Sequence, residues 1–157
     1  MKCTDQDYML FALEQAQMAA EHGDVPVGAV IVRDGKIIAA AHNRREQTGD
    51  ATAHAEILAI QEACHVLQSW RLIGCTMYVT LEPCPMCAGA CVNARLDRVV
   101  YGARDAKTGA LGSLIQMFAL DLNHTPRITT GILEEQSIAL LQDFFERKRQ
   151  RTNAMDK

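Results

Sequence analysis

Four residues of the sequence have the types and spacing needed to hold a transition metal and to move protons beside it. His54 and Glu56 form an H-x-E pair, and Cys84 and Cys87 form a C-x-x-C pair directly after Pro83. Zinc accepts imidazole nitrogen and thiolate sulfur in a tetrahedral shell, and three protein ligands leave its fourth position for water. The pattern therefore predicts a catalytic Zn²⁺ site with the ion held by His54, Cys84 and Cys87.

Glu56 is the predicted proton carrier of this site. Side chains two residues apart on a helix project about 200° apart, so Glu56 is not expected to bind the same ion as His54. Zinc lowers the pKa of a coordinated water toward about 7. Glu56 would take that proton, deliver it to the substrate and later help the leaving group depart, which is general acid–base catalysis by one carboxylate.

Each motif taken alone is compatible with a different role. A C-x-x-C pair also occurs in redox sites and in structural zinc sites, for which Cys91, one helical turn beyond Cys87, is the nearest fourth ligand. A single histidine on a helix is more often a structural residue than a ligand. Because both motifs occur together, each at a predicted helix start, the catalytic interpretation is favoured. The pair matches the established signature of zinc-dependent nucleobase deaminases.

The elements that must position these residues follow from the pattern of apolar residues, which predicts one α/β domain over residues 1–157. Helices are predicted over 5–22, 52–67, 84–94 and 133–149. Strands are predicted over 27–33, 36–39, 76–81, 98–102 and 127–130. Asp34-Gly35 indicates a tight hairpin, whereas the strand–helix–strand units require crossovers. We therefore expect a three-layer α/β/α architecture with a mixed five-stranded sheet.

Both predicted zinc motifs lie at helix starts, where the ends of strands form the usual ligand crevice of an α/β sheet. Thr52 or Asp50 is expected to cap the helix that carries His54, because short polar side chains accept hydrogen bonds from the first turn. The polar segment 43–51, which contains one glycine, is expected to be a loop.

Composition indicates a soluble globular protein, with 48% hydrophobic and 22% charged residues. The sequence contains no apolar run of the roughly 18–20 residues that cross a bilayer. No apolar signal region follows the N-terminus, so we expect a cytoplasmic protein without a membrane partner. The six cysteines are then expected to be reduced rather than paired in disulfides.

Charge is unevenly distributed along the chain. The net charge of −3 argues against a general nucleic-acid binder. Residues 144–157, however, carry five basic residues against two acidic ones, which leaves a net charge of −6 on the residues before them. This basic tail is either an electrostatic contact for phosphate or a solvated helix end whose cations complement the helix dipole.

Five runs of the sequence, at 24–30, 52–57, 79–90, 99–109 and 143–145, resemble the bacterial tRNA-specific adenosine deaminases of the cytidine deaminase superfamily. The resemblance extends over about residues 5–149. The zinc motifs are shared with cytidine and guanine deaminases, so the discriminating parts are the run Gly102–Gly109 and the Phe144-Phe145 pair on a basic helix. Pro85 departs from the aliphatic residue that is frequent there, but proline suits the first helical turn.

The resemblance implies a cytidine-deaminase-like fold and a homodimer with one zinc ion per subunit. The implied partner is a tRNA anticodon stem-loop. The implied reaction is hydrolysis of adenosine to inosine at the wobble position, chiefly in the arginine tRNA with anticodon ACG, by attack of zinc-activated water on adenine C6 with Glu56 as proton shuttle.

By motif position, the resemblance also implies a set of substrate contacts. Asn43 would hydrogen-bond the flipped base, the backbone N–H of Ala55 would fix the ring, and Asp105 would contact the anticodon-loop backbone. The residues expected along the RNA path are Phe144, Phe145, Arg147 and Arg149. From the residues alone, Asn43 and Asp105 fit equally well as turn-forming residues.

Two other functions stay open at this stage. The same metal chemistry would serve a zinc-dependent deaminase of a free base or nucleoside, such as guanine or cytidine. A zinc-stabilised RNA-binding module without catalysis would use the same metal ligands and the same basic tail.

Overall fold

The computed structural model describes residues 2–156. Met1 and Lys157 lie outside the described residues, and with them the two ends of the predicted domain and one cation of the basic tail. The elements in chain order are α1 (Asp5–Glu21), β1 (Gly28–Arg33), β2 (Lys36–His42), α2 (Arg45–Thr48), α3 (Ala55–Leu67), β3 (Cys75–Leu81), α4 (Pro85–Asn93), β4 (Arg98–Ala103), a 3₁₀ turn (Met117–Ala119), β5 (Arg127–Thr129) and α5 (Glu134–Met155).

The five strands form one mixed sheet in the order β2-β1-β3-β4-β5. β1 pairs antiparallel with β2 and β3, whereas β3, β4 and β5 pair in parallel. The β1–β2 hairpin turns at Asp34 and Gly35, whose φ angles of 51° and 75° are both positive, as a tight turn between twisted strands requires. The predicted mixed five-stranded sheet is confirmed.

Helices cover both faces of the sheet. On one face the core contains alanines of α3 and α4 packed against apolar residues of β1, β3 and β4. On the other face Tyr8, Met9 and Ala12 of α1 pack against Val30, Tyr78 and Val100, with Ile132 and Leu133 from the segment that enters α5. The predicted three-layer architecture is confirmed. Within residues 2–156, no helix combines the length and the apolarity needed to cross a membrane.

Several element boundaries differ from the predictions. The predicted loop 43–51 contains the short helix α2, β2 continues to His42, and α5 continues to Met155. The predicted cap of α3 is wrong, because His54 occupies the N-cap position and no side chain caps this helix. Asp50 instead accepts hydrogen bonds from the backbone N–H and the hydroxyl of Thr52, which closes a turn before the helix.

Several strands begin or end at one edge of the sheet. Leu81 and Ala103 pair at the carboxyl ends of the parallel strands β3 and β4. At the same edge β1 begins, where the Gly28 N–H donates to the Thr80 hydroxyl at 3.2 Å. The Asn43 N–H, just beyond β2, donates to the Val27 carbonyl at 3.0 Å. Both zinc motifs lie at this edge, so the fold positions them as the sequence predicts.

Candidate active site

Three side chains that can bind a metal meet at this edge of the sheet. His54 is the N-cap residue of α3, Cys84 is the N-cap residue of α4, and Cys87 lies in the first turn of α4. Their ligand atoms all lie within 4.8 Å of one another. The Nδ1 atom of His54 lies 3.4 Å from the Cys87 sulfur and 3.7 Å from the Cys84 sulfur.

This group fits zinc in both chemistry and spacing. Zinc–sulfur bonds of about 2.3 Å and zinc–nitrogen bonds of about 2.0 Å place tetrahedral nitrogen and sulfur ligands about 3.5 Å apart, close to the distances found here. Cys91, the candidate fourth ligand of a structural site, does not belong to the group. Burial raises the pKa of the Cys91 thiol, and its exclusion from the donor group rests on the position of its sulfur.

Cys84 is prepared to act as a thiolate. Hydrogen bonds from Cys87 and from His54 lower the pKa of the Cys84 thiol to about 4. Pro85 occupies the first position of α4, as predicted, where its missing N–H costs no helical hydrogen bond. The extended backbone of Cys84, with ψ of 173°, turns the chain from the strand end into the helix.

Glu56 is almost completely buried beside these ligands, with 4% of its surface exposed. Burial raises the pKa of its carboxyl above the ordinary value. Glu56 is not among the residues whose ligand atoms form the metal-binding group. Its position in the first turn of α3 and its raised pKa suit a group that accepts and returns a proton.

The other predicted contacts to a base lie in the same small cavity, which has a volume of about 160 Å³. The buried side chain of Asn43 donates to the Val25 carbonyl at 3.3 Å and accepts from the Arg45 N–H at 3.4 Å. Both contacts are long. The amide links two parts of the loop region through them, and Asn43 also lines the cavity. Ala55 is the first residue of α3, and its N–H therefore has no carbonyl partner within the helix.

Asp105 reaches this cavity from the loop that follows β4. Its carboxylate accepts hydrogen bonds from the backbone N–H groups of Lys107 and Thr108 at 3.0 and 3.2 Å. The Thr108 hydroxyl donates to the same carboxylate at 2.7 Å. Asp105 thus closes its own turn, as the turn-forming alternative expects, and it also lines the cavity, while its contact to the anticodon loop stays a prediction.

Three polar residues of the cavity wall had no role in the sequence-based prediction, namely Arg45, Glu82 and Thr108. Glu82 directly precedes the Pro83-Cys84 pair at the end of a strand, and this position was the signal available in the sequence. Arg45 follows Asn43 closely, but only the short helix α2 brings it to the cavity. The Asp24 carboxylate fixes α2 by accepting from the N–H groups of Glu46 and Gln47.

The structure divides the four predicted RNA-path residues between two sides of α5. Phe145 and Arg149 line an open groove of about 890 Å³ that also includes Arg104 and Lys107, the neighbours of Asp105. Phe144 and Arg147 face the opposite side, near the end of α1. Arg147 there forms an ion pair of 3.2 Å with Asp143. Only Phe145 and Arg149 are therefore brought into one groove beside the loop.

This combination of a mixed sheet, a His-Cys-Cys donor group and a buried glutamate at a helix start defines the class of deaminases with a cytidine-deaminase-like fold. In agreement, the family model of the MafB19-like deaminases matches residues 3–149.

The chain belongs, within this class, to the family of the tRNA-specific adenosine deaminases. It is 48% identical to the tRNA-specific adenosine deaminase of Bacillus subtilis over 154 residues, which cover 98% of this chain and 96% of that protein. It is 46% identical to the enzyme of the same name from Agrobacterium fabrum, with coverage of 90% and 94%.

Solved structures give the same relationship. A structure from a study of A-to-I editing by tRNA:A34 deaminases at the wobble position has a TM-score of 0.83 and 45% identity, with coverage of 85% of this chain and 98% of that chain. A guanine deaminase from Bacillus subtilis has a TM-score of 0.64 and 38% identity, with coverage of 74% of each chain. The metal motifs are thus compatible with more than one base, and the substrate must be argued from other residues.

Proposed function

We propose that this protein hydrolyses adenosine to inosine at the wobble position of tRNA, chiefly at anticodon ACG of arginine tRNA, with one Zn²⁺ ion per subunit. One observation carries the proposal. Two of the three metal donors, His54 and Cys84, share a small cavity with Glu56 and with two residues of the run 102–109, Asp105 and Thr108. By resemblance, this run distinguishes tRNA deaminases from their relatives. The near full-length similarity to tRNA-specific adenosine deaminases supports the same substrate.

The proposed chemistry needs one nucleophile and one proton carrier. Zinc held by His54, Cys84 and Cys87 would supply a water molecule of lowered pKa as the nucleophile for adenine C6. Glu56 accepts a proton from the attacking water and delivers it to the ring nitrogen next to C6. The same carboxylate then takes the second proton of the attacking water from the oxygen now bonded to C6 and delivers it to the amino nitrogen, whose bond to C6 breaks as the carbonyl of inosine forms. Water is consumed, and inosine and ammonia are released.

The cavity wall orients the base for this reaction. The N–H of Ala55, which has no carbonyl partner within the helix, lies at the positive end of α3 and can donate to an acceptor of the purine ring. The amide of Asn43 is buried at 6% exposure, and its long contacts leave it able to shift toward the base. A target base must be extruded from its stack to enter, and a single-stranded anticodon loop makes this extrusion less costly than a duplex.

A path for the rest of the RNA leads from the cavity to α5. The groove beside Asp105 carries Arg104 and Lys107 on one wall and Lys148 and Arg149 on the other, with Glu146 as its acidic residue. The chain as a whole has a net charge of −3, whereas this groove has a local excess of positive charge. The groove is therefore a place where phosphate is attracted. Phe145, which is 40% exposed, offers an aromatic face for an unpaired base.

Two further properties belong to the proposal. Three large apolar side chains are exposed in one short segment, Leu114 at 58%, Ile115 at 47% and Leu120 at 59%, which suits the contact surface of a homodimer. Sedimentation at twice the 17.3 kDa chain mass would support the dimer, and a monomer at assay concentration would contradict it.

A pair of thiolate ligands requires reduced cysteines, so we place the reaction in the cytoplasm.

The test is a deamination assay on an anticodon stem-loop with adenosine at the wobble position. The matched control carries adenosine at another loop position, and separate reactions contain free adenosine, guanine and cytidine. Inosine at the wobble position alone is expected. Faster turnover of free guanine or cytidine would favour the nucleobase deaminase, and stem-loop binding without any inosine would favour the RNA-binding module.

A further inference from the structure

Glu82 is a buried carboxylate with no role in the mechanism above. It follows the last residue of β3, and only 2% of its surface is exposed. Within residues 2–156, no basic side chain forms an ion pair with it. A buried charge without a counter-ion must be stabilised by hydrogen bonds, so the partners of this carboxylate indicate what it does.

Those partners all lie in the loop that follows β4. One carboxylate oxygen accepts from the Asp105 N–H at 3.2 Å and from the Ser113 hydroxyl. The other accepts from the N–H groups of Leu111 and Ser113 at 3.0 and 3.1 Å. Glu82 therefore ties together the beginning and the end of this loop, and Asp105 is one of the residues that it holds.

The Glu82 carboxyl packs closely against Gly109 of this loop. A Cβ atom on Gly109 would lie 2.4 Å from the Glu82 carboxyl carbon and 2.5 Å from the Asp105 carbonyl oxygen, so only glycine fits between them. The backbone adds two fixed points, because the Glu82 N–H donates to the Ala103 carbonyl and the Ala110 N–H donates to the Pro83 carbonyl, both at 2.8 Å. The loop is thus fastened to the strand end that leads directly to Cys84.

We propose that Glu82 is a positioning residue for substrate recognition, which holds the Asp105 loop as one wall of the cavity at a fixed place relative to the metal donors. This inference rests on the proposed function, because Asp105 is there the contact to the anticodon loop. Glu82 acts through Asp105 and not on the reacting atoms. Its loss should weaken capture of the stem-loop while the proton carrier and the metal donors stay in place.

The experiment compares Glu82→Gln, Asp105→Ala and the double variant in steady-state kinetics on the wobble-adenosine stem-loop. Glutamine keeps the shape but turns an NH₂ group toward backbone N–H donors, so the loop loses part of its attachment. We expect KM to rise about 10-fold in Glu82→Gln, with kcat within about threefold of the parent and zinc content unchanged. The double variant should lie within about twofold of Asp105→Ala, because the two residues act in series.

Several results would overturn the proposal. One is a rise of KM in the double variant that equals the product of the rises in the two single variants. Others are a loss of kcat in Glu82→Gln that exceeds its rise of KM, or a loss of zinc from Glu82→Gln. The last is an unchanged KM in Asp105→Ala. Glu135→Gln, an exposed acid of α5, serves as the control for charge.

A readout without catalysis separates this proposal from the proposed function. Amide hydrogen exchange of residues 105–113 should be at least about 10-fold faster in Glu82→Gln than in the parent, whether or not the parent deaminates the stem-loop. If Glu82→Gln does not fold, Ser113→Ala removes a single donor and should shift KM and exchange in the same direction by about threefold. Unchanged exchange in both variants would contradict the positioning role.

Discussion

The sheet edge around His54 and the second half of α5 differ in how strongly the fold constrains their side chains. At the sheet edge, Ala55, Glu56 and Cys87 are buried, and the metal-binding side chains lie at the starts of two helices that pack against the sheet. Along α5, Ser137 is the buried residue of a 22-residue helix, and every residue from Phe145 to Asp156 is exposed. Both regions are nevertheless expected to contact the same RNA.

This difference indicates that chemistry and substrate choice are separate properties of the molecule. A metal group needs ligand atoms placed to within fractions of an ångström, which only a buried and cross-linked edge provides. Attraction for a phosphate backbone needs charge within several ångströms and tolerates mobile side chains. Substitutions of the metal donors and of Glu56 should therefore abolish turnover, whereas substitutions on α5 should change substrate capture by modest factors.

The largest effect is expected at the metal donors themselves. Cys87→Ala should lose both zinc and turnover, because two remaining protein ligands hold the ion too weakly. Cys91→Ala is the matched control, since Cys91 is equally buried, lies one turn further along α4 and is not part of the donor group. Metal analysis of the two purified variants checks this. Equal zinc loss in both would mean that burial in α4, rather than ligation, controls metal content.

The next largest effect is expected at Glu56, the proposed proton carrier. Glu56→Ala should retain zinc and lose about 10⁴-fold in kcat, because one carboxylate moves both protons of the reaction. Glu62→Ala is the control on the same helix, where the side chain is exposed. Single-turnover kinetics beside metal analysis give the answer. A Glu56→Ala protein without zinc would show that Glu56 stabilises the metal group instead.

Much of the fold follows from local sequence signals. Strands were recognisable from their pattern of apolar residues, and the Asp34-Gly35 turn depends on neighbouring residues alone. The residues of the group that could hold a metal were recognisable because zinc chemistry restricts the residue types and because each motif begins a helix. Where a residue's contacts lie within a few positions, the sequence carries enough information.

Residues with distant partners could not be predicted in this way. Asp24 caps α2 across more than 20 positions, so the segment 43–51 looks like an ordinary polar loop in the sequence. Glu82 holds amides up to 31 positions away, and only the pairing of β3 with β4 brings them together. The orientation of the Phe144-Phe145 pair likewise depends on how α5 packs against α1, since adjacent helical residues point about 100° apart.

The smallest effect is expected on α5, where two arginines of the same helix can be compared. Arg149 lines the groove beside Arg104 and Lys107, whereas Arg147 faces away and pairs with Asp143. Arg149→Ala should raise KM for the stem-loop about threefold and leave kcat unchanged. It should also reduce the slope of log binding constant against log salt concentration by about 0.7, the value for one single-strand phosphate contact. Arg147→Ala should change each quantity less, because an exposed ion pair contributes little and its side chain does not reach the groove. Binding titrations of both variants from low to moderate salt measure the slopes. Equal slopes for the two variants would mean that RNA follows both sides of α5, and the groove beside Asp105 would then not be the preferred path.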